Sequence, residues 1–267
     1  MTTETGVAGT GSAGRVDEGT GGALLRATVV LLVLEPLLMY AAFFVLNGAI
    51  NWPAGLGEPA RVNLPLILEQ RGAVVIGYGA YLAYSLLILP LSMMLYFVLK
   101  ERKSSPLLAV AAGFGIVSAL ARALGISRWL FLMPVLAQTY VVSGTDEATR
   151  HTIEVVYNAF NEYVGGVGEL LGVTLTGAAW VGLTSIALLR SQRFPNWLGI
   201  LGFLAAILLL PGLASVAGIE VGALFAVIGG NVLLVWMFVL AIVLVRNSRY
   251  RSSYPIYSDD ATGRNVS

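Results

Sequence analysis

Glu154, Asn158, Asn161, Glu162, Gly165, Glu169, Gly172 and Thr176 recur at steps of three and four between Thr145 and Arg190. That spacing stacks side chains on one face of a helix. A stripe of carboxylates and amides can bind a cation, accept and donate hydrogen bonds to a ligand, or carry protons. The other faces are Val, Leu, Ala, Tyr and Trp, and the second half is apolar enough to lie in a bilayer, where polar groups need partners. The preceding segment supplies them. If it turns at Gly144-Thr145 and pairs antiparallel with the stripe, facing residues have numbers summing to about 289 at 1.5 Å per residue. Arg128 then faces Asn161 and Glu162, Arg122 falls near Glu169, and Gly125 faces Gly165. A glycine pair at one level lets two backbones approach closely.

Two further polar residues fall near the midpoint of apolar runs, Glu35 directly before Pro36 and Asn231 near the C-terminal end of the chain. An acidic residue at a helix centre costs about 2.5–3.5 kcal/mol on insertion scales. Glu35 is therefore protonated, paired with Asn231 or a tyrosine, or wetted by a cavity. Tyr78 and Tyr81 stand on the polar side of the run that follows, as pocket lining or as packing groups. The expected ligand-binding set is Arg122, Arg128, Asn158, Asn161, Glu162, Glu169, Glu35, Tyr78, Tyr81 and Asn231. The competing reading is structural, because polar contacts weld transmembrane helices at about 0.6 kcal/mol each.

Composition narrows the chemistry. The 267 residues are 57% hydrophobic and 12% charged, with mean hydropathy +0.80, and the apolar residues come in blocks of about 20, enough to cross a bilayer core. A net charge of +1 without basic blocks gives no footing for a nucleic-acid partner. Without cysteine there is no thiol nucleophile or disulfide, and the lone His151 cannot build a multi-histidine metal site. No nucleophile–base set is visible, so no catalytic residue is expected, an intramembrane enzyme ranks third among the readings, and the sequence names no cofactor.

The elements that position these residues form an all-α, polytopic membrane bundle. Six transmembrane helices are expected at residues 23–46, 72–99, 106–125, 166–190, 197–213 and 219–245, between a disordered tail at 1–22 and a polar tail at 247–267. Residues 47–70, with Pro53, Pro59 and Pro65, read as a loop. Residues 126–165 extend the third and fourth helices as a hairpin on the extracytoplasmic side, with a break expected near Gly125 to Ser127 if the third does not project, and a weak point at Gly165-Gly166. Lys100 to Lys103, Arg190 with Arg193, and the C-terminal arginines share one side of a six-span bundle, which places both termini in the cytoplasm. A seven-span alternative would put Arg190 and Arg193 outside.

Three motifs in order, Ala119-Leu120-Ala121-Arg122-Ala123 with Arg128-Trp129, the Asn158 to Gly172 segment with its Gly-x-Gly-Glu, and Phe194-Pro195-Asn196-Trp197-Leu198-Gly199, carry a resemblance. The chain resembles the bacterial multi-pass integral membrane family catalogued as domain of unknown function 4386, over Leu24 to Arg246. That resemblance implies the fold and the location of the site, with no activity to transfer, and a bacterial cytoplasmic membrane. The leading expectation is an outward-facing polar pocket that binds a small molecule or lipid, as a sensor or transporter; the alternative is a non-catalytic scaffold whose Arg/Glu pairs are structural.

Overall fold

The computed structural model describes residues 13–100, 105–142, 144–219 and 221–253. Among these the chain is helical and without strands: α1 (Ala13–Ile50), α2 (Ala60–Glu69), α3 (Arg71–Leu99), α4 (Pro106–Val141), α5 (Glu147–Gly166), a π-helix (Val167–Gly177), α6 (Ala178–Arg190), α7 (Asn196–Leu209), a short 3-10 turn (Leu210–Ala217) and α8 (Val221–Ser253). Six helical segments are long and apolar enough to cross a membrane, with α5, the π-helix and α6 forming one of them. Many large apolar side chains on their outer faces are exposed, Val30, Phe44, Ile76, Phe131 and Ile200 among them, as lipid contact requires.

Local chemistry sets the ends. The Ser105 hydroxyl accepts from the Leu108 N–H while Pro106 takes the first turn of α4, where its missing N–H costs nothing. The Asp146 carboxylate caps α5, accepting from the Thr149 N–H at 2.8 Å and the Thr149 hydroxyl at 2.9 Å. These bonds, the backbone one first, hold the Asp146 carboxyl below its ordinary range. Gly144 supplies the left-handed residue of the turn between the two helices, at φ +91°.

Several expectations change. Helix α1 begins at Ala13, inside the segment read as a tail, and α8 runs eight residues beyond the expected end at 245; residues 1–12 and 254–267 of the two tails lie outside the described residues. The third helix does not break near Gly125: α4 is continuous for 36 residues, about 54 Å at 1.5 Å per residue, so it projects beyond a core of about 30 Å. The stretch 47–70 is not all loop. Pro59 stands at the N-cap of α2, and Pro65 is tolerated inside it.

Two buried clusters result. The larger holds the bundle together around Trp180, Trp236, Leu91, Leu198 and Leu240, and the Trp236 indole donates to the Leu198 carbonyl at 3.1 Å. The second joins Leu64 and Ile67 of α2 to Trp129, Met133 and Ala137 of α4 and to Ile153 and Tyr157 of α5. Leu46 and Ile50 of α1 and Val74 and Tyr78 of α3 belong to the same cluster, so α2 ties the projecting hairpin to the bundle, clasped by Asn63, whose amide donates to Tyr157 Oη at 2.8 Å and to the Gly55 carbonyl at 2.7 Å.

Candidate functional site

The hairpin pairs as an antiparallel unit. Arg128 Nη2 donates to Asn161 Oδ1 at 3.3 Å, in the expected register. Gly125 lies against Gly168 rather than Gly165: a Cβ at Gly125 would stand 2.7 Å from the Gly168 Cα. At that level the register has slipped by three residues, close to one turn.

Beyond Gly166 the helix does not break but widens. Residues 167–177 form a π-helix, in which each bond closes one residue further along than in an α-helix. Its effect is visible at Arg122. The Arg122 stem packs on Gly172, and its Nη2 would stand 2.7 Å from a Cβ at Gly177. In an α-helix residues five apart point about 140° away from each other; here both glycines meet one side chain. The Gly172 carbonyl collects the Ser118 hydroxyl at 2.6 Å, Arg122 Nε at 3.4 Å and the Thr176 hydroxyl at 3.3 Å, and Thr176 also donates to the Leu171 carbonyl at 2.6 Å.

The expected Arg/Glu pairs do not form. Arg122 Nη1 donates to Tyr84 Oη at 3.0 Å, and Arg128 Nη1 donates to the Gly125 carbonyl. Among the described residues no carboxylate oxygen stands within 4.0 Å of either guanidinium. Arg128 meets Asn161 in the expected register but spends its contacts there and on the Gly125 carbonyl rather than on Glu162, and beyond Gly166 the widened turn changes the register of Glu169 against Arg122. Glu169 comes under the field of Arg128, and the field of Arg122 reaches Glu35 instead.

These side chains border a cavity of about 780 Å³. One wall is polar and comes from α4, α5 and the π-helix: Arg122, Arg128, Asn161, Glu162 and Glu169. The lining from α1, α7 and α8 is mostly apolar, with Met39, Phe43, Val227 and Leu233 among its residues and Tyr40 and Asn231 as its polar members. Glu162 and Glu169 are exposed side chains on the cavity's border, and neither accepts a hydrogen bond from a described residue. Between α1 and α8, which pack against each other, Tyr40 donates to Asn231 Oδ1 at 3.3 Å, and Asn231 donates to the Val227 carbonyl at 2.9 Å.

Of the ten expected residues, seven line this cavity: Arg122, Arg128, Asn161, Glu162, Glu169, Tyr81 and Asn231. Tyr78 lies behind it, stacked on Trp129 at 5.0 Å and 6°, and borders a smaller void of about 30 Å³ together with Arg122 and Arg128. Glu35 is fully buried, and no hydrogen-bond partner meets either of its oxygens. Asn158 is exposed and off the cavity. Sequence reasoning missed Tyr84, Tyr40 and Trp52. Tyr84 stands three residues after Tyr81, so the helical spacing that drew in Tyr78 and Tyr81 could have found it. Trp52 gave no such signal, because its place depends on the turn before it. There Asn51 adopts φ +53° and the Asn47 amide donates to the Trp52 carbonyl at 2.9 Å; asparagine is among the residues that tolerate the left-handed region.

The chain belongs to the family described as Domain of unknown function (DUF4386), which matches residues 27–246. No curated protein and no solved structure matches it.

Proposed function

We propose that this DUF4386 protein binds a small amphipathic molecule, drawn from or delivered to the bilayer, within the membrane-embedded cavity. The observation that carries the reading is the cavity's mixed lining, with the charged groups coming from α4, α5 and the π-helix and most of the alkyl groups from α1, α7 and α8. Its size falls in the range of about 300–1,000 Å³ that holds drug-sized ligands. The distribution of basic residues supports a cytoplasmic position for both termini, which turns α2 and the projecting α4–α5 hairpin outward, and the family resemblance favours a bacterial cytoplasmic membrane.

A second reading has its own support. Both arginines are bonded to protein acceptors, so they act as a clasp between α4 and the π-helix even in a binding protein. The scaffold alternative extends that role to the whole stripe.

Native mass spectrometry of the purified protein separates the two. Gly230 lines the cavity, and a Cβ there meets nothing within 4 Å, so Gly230→Phe fills space without a backbone clash. Wild-type protein is expected to retain an amphipathic adduct that the folded variant loses. A wild-type protein without any adduct, or a folded Gly230→Phe that keeps all of them, favours the scaffold.

A further inference from the structure

We infer that the ligand's head carries a positively charged nitrogen, so that the cavity is a site for cationic amphiphiles. This rests on the cavity-binding reading above and adds the chemical class. Three observations converge on it.

The first is the division of labour among the charges. Arg122 and Arg128 spend their donors on Tyr84, Gly172, Gly125 and Asn161. Two of their nitrogens, Arg122 Nη2 and Arg128 Nε, have no hydrogen-bond partner and are occluded by protein. Glu162 and Glu169 are the reverse: exposed, on the cavity, and free of hydrogen bonds from described residues. What the polar wall leaves without a protein partner is a pair of exposed carboxylates, beside two guanidinium groups that are each already held by protein acceptors.

The second is an aromatic run facing the same space. Phe44, Phe43, Trp52, Tyr81 and Tyr84 make successive ring contacts at centroid separations of 5.6, 6.0, 5.7 and 6.0 Å, and all five line the cavity. Aromatic faces attract a cation within about 6 Å of the ring centroid, and most strongly where water is excluded. An anionic head would meet the two carboxylates and the negative faces of these rings, and the two guanidinium groups on the border, Arg122 and Arg128, are already bonded to protein acceptors.

The third is the mostly apolar lining from α1, α7 and α8, which calls for a hydrocarbon body rather than a small hydrophilic ion. The shared chemistry is thus a charged nitrogen on an apolar chain, and it has two sources: an amine-headed lipid or a free lipophilic amine.

Binding can be read from tryptophan fluorescence in neutral maltoside micelles at pH 8. Trp52 borders the cavity, whereas Trp129, Trp180 and Trp236 are buried, and Trp52→Phe identifies the responding ring. Dodecylammonium, whose head is protonated at pH 8 and donates hydrogen bonds, is titrated against dodecanoate, which has a chain of the same length. The cation is expected to bind at least tenfold tighter. Glu162→Gln with Glu169→Gln should weaken it by about 10- to 100-fold, the range for hydrogen bonds and contacts to charged groups, and should leave dodecanoate no weaker. Displacement of the probe by phosphatidylethanolamine but not by phosphatidylglycerol supports the proposal with a lipid source; binding of the free cation without displacement by either supports it with a free amine. Equal or tighter binding of dodecanoate overturns the cationic head, as does a folded double variant that keeps its affinity for the cation. If Gly230→Phe still abolishes binding in those cases, the cavity reading survives alone. Failure of both amphiphiles to bind, or binding untouched by Gly230→Phe, overturns both.

Discussion

Gly125 offers the sharpest test of how the hairpin is built, because Gly113 on the same helix is its internal control. A methyl group at Gly125 would stand 2.7 Å from the Gly168 Cα, 3.2 Å from the Gly168 nitrogen and 3.4 Å from the Val164 carbonyl oxygen. These are backbone atoms, which cannot rotate away as a side chain can. To reach ordinary contact near 3.5–4.0 Å, α4 and the partner helix must separate by about 1 Å. At Gly113 the same methyl meets nothing within 4 Å. Both substitutions place alanine in one helix, so the propensity gain of up to about 1 kcal/mol is common to the two and cancels in their difference. What remains is the overpacking cost, about 1–3 kcal/mol. Gly113→Ala should therefore be neutral or slightly stabilising, and Gly125→Ala should be less stable than Gly113→Ala by about 1–3 kcal/mol. Equilibrium unfolding of purified protein in mixed micelles, followed by circular dichroism, measures both. Equal stability of the two variants, or a more stable Gly125→Ala, refutes the close approach of α4 and the π-helix.

Two other predictions concern the projecting hairpin. Asn63 is 3% exposed and holds Tyr157 and the Gly55 carbonyl, so Asn63→Ala, which strands buried acceptors, should cost about 1–3 kcal/mol. A double-mutant cycle with Tyr157→Phe in the same unfolding assay should show coupling above about 0.5 kcal/mol; additive losses would deny the bond a role. The Asp146 cap gives a pH dependence: its folded carboxyl is held low by Thr149, so its contribution is present above the unfolded carboxylate pKa and is lost as pH falls through the folded value. Amide exchange at Thr149, corrected for intrinsic rates, should accelerate on acidification in wild type and be fast and flat in Asp146→Ala; a pH-independent protection in wild type would contradict the cap.

The fold was legible where length and composition decide. Six apolar blocks long enough to span lipid leave little choice but helices, and the Gly144 turn with its acidic α5 start was readable as a hairpin. Elsewhere the sequence misled for identifiable reasons. Proline punctuation around residues 47–70 looked like a loop because it is silent on whether α4 and α5 project far enough to give Leu64 and Ile67 something to pack on. The lengths of α1 and α8 were underread because polar residues at a helix end look the same as polar residues beyond it.

The site was only half legible, and the π-helix is why. A stripe read at steps of three and four assumes 3.6 residues per turn throughout. Up to Gly165 that assumption holds, and of the two residues expected opposite Arg128, Asn161 meets it and Glu162 does not. Past Gly166 the turn widens, and the azimuth of every later residue shifts. Glu169 turns away from Arg122 and toward the cavity, while Gly172 and Gly177 turn together to receive the arginine. A π-helix gives up the tighter i→i+4 ladder, so something must hold it open, and three side-chain donors converge on the Gly172 carbonyl to do so. Arg122 therefore serves the acids indirectly. By bonding to the backbone of the widened turn rather than to Glu169, it keeps that carboxylate unpaired and on the border of the cavity. An arginine paired with the glutamate would have left the proposed site without a free carboxylate there, and π-turns are frequent at functional sites.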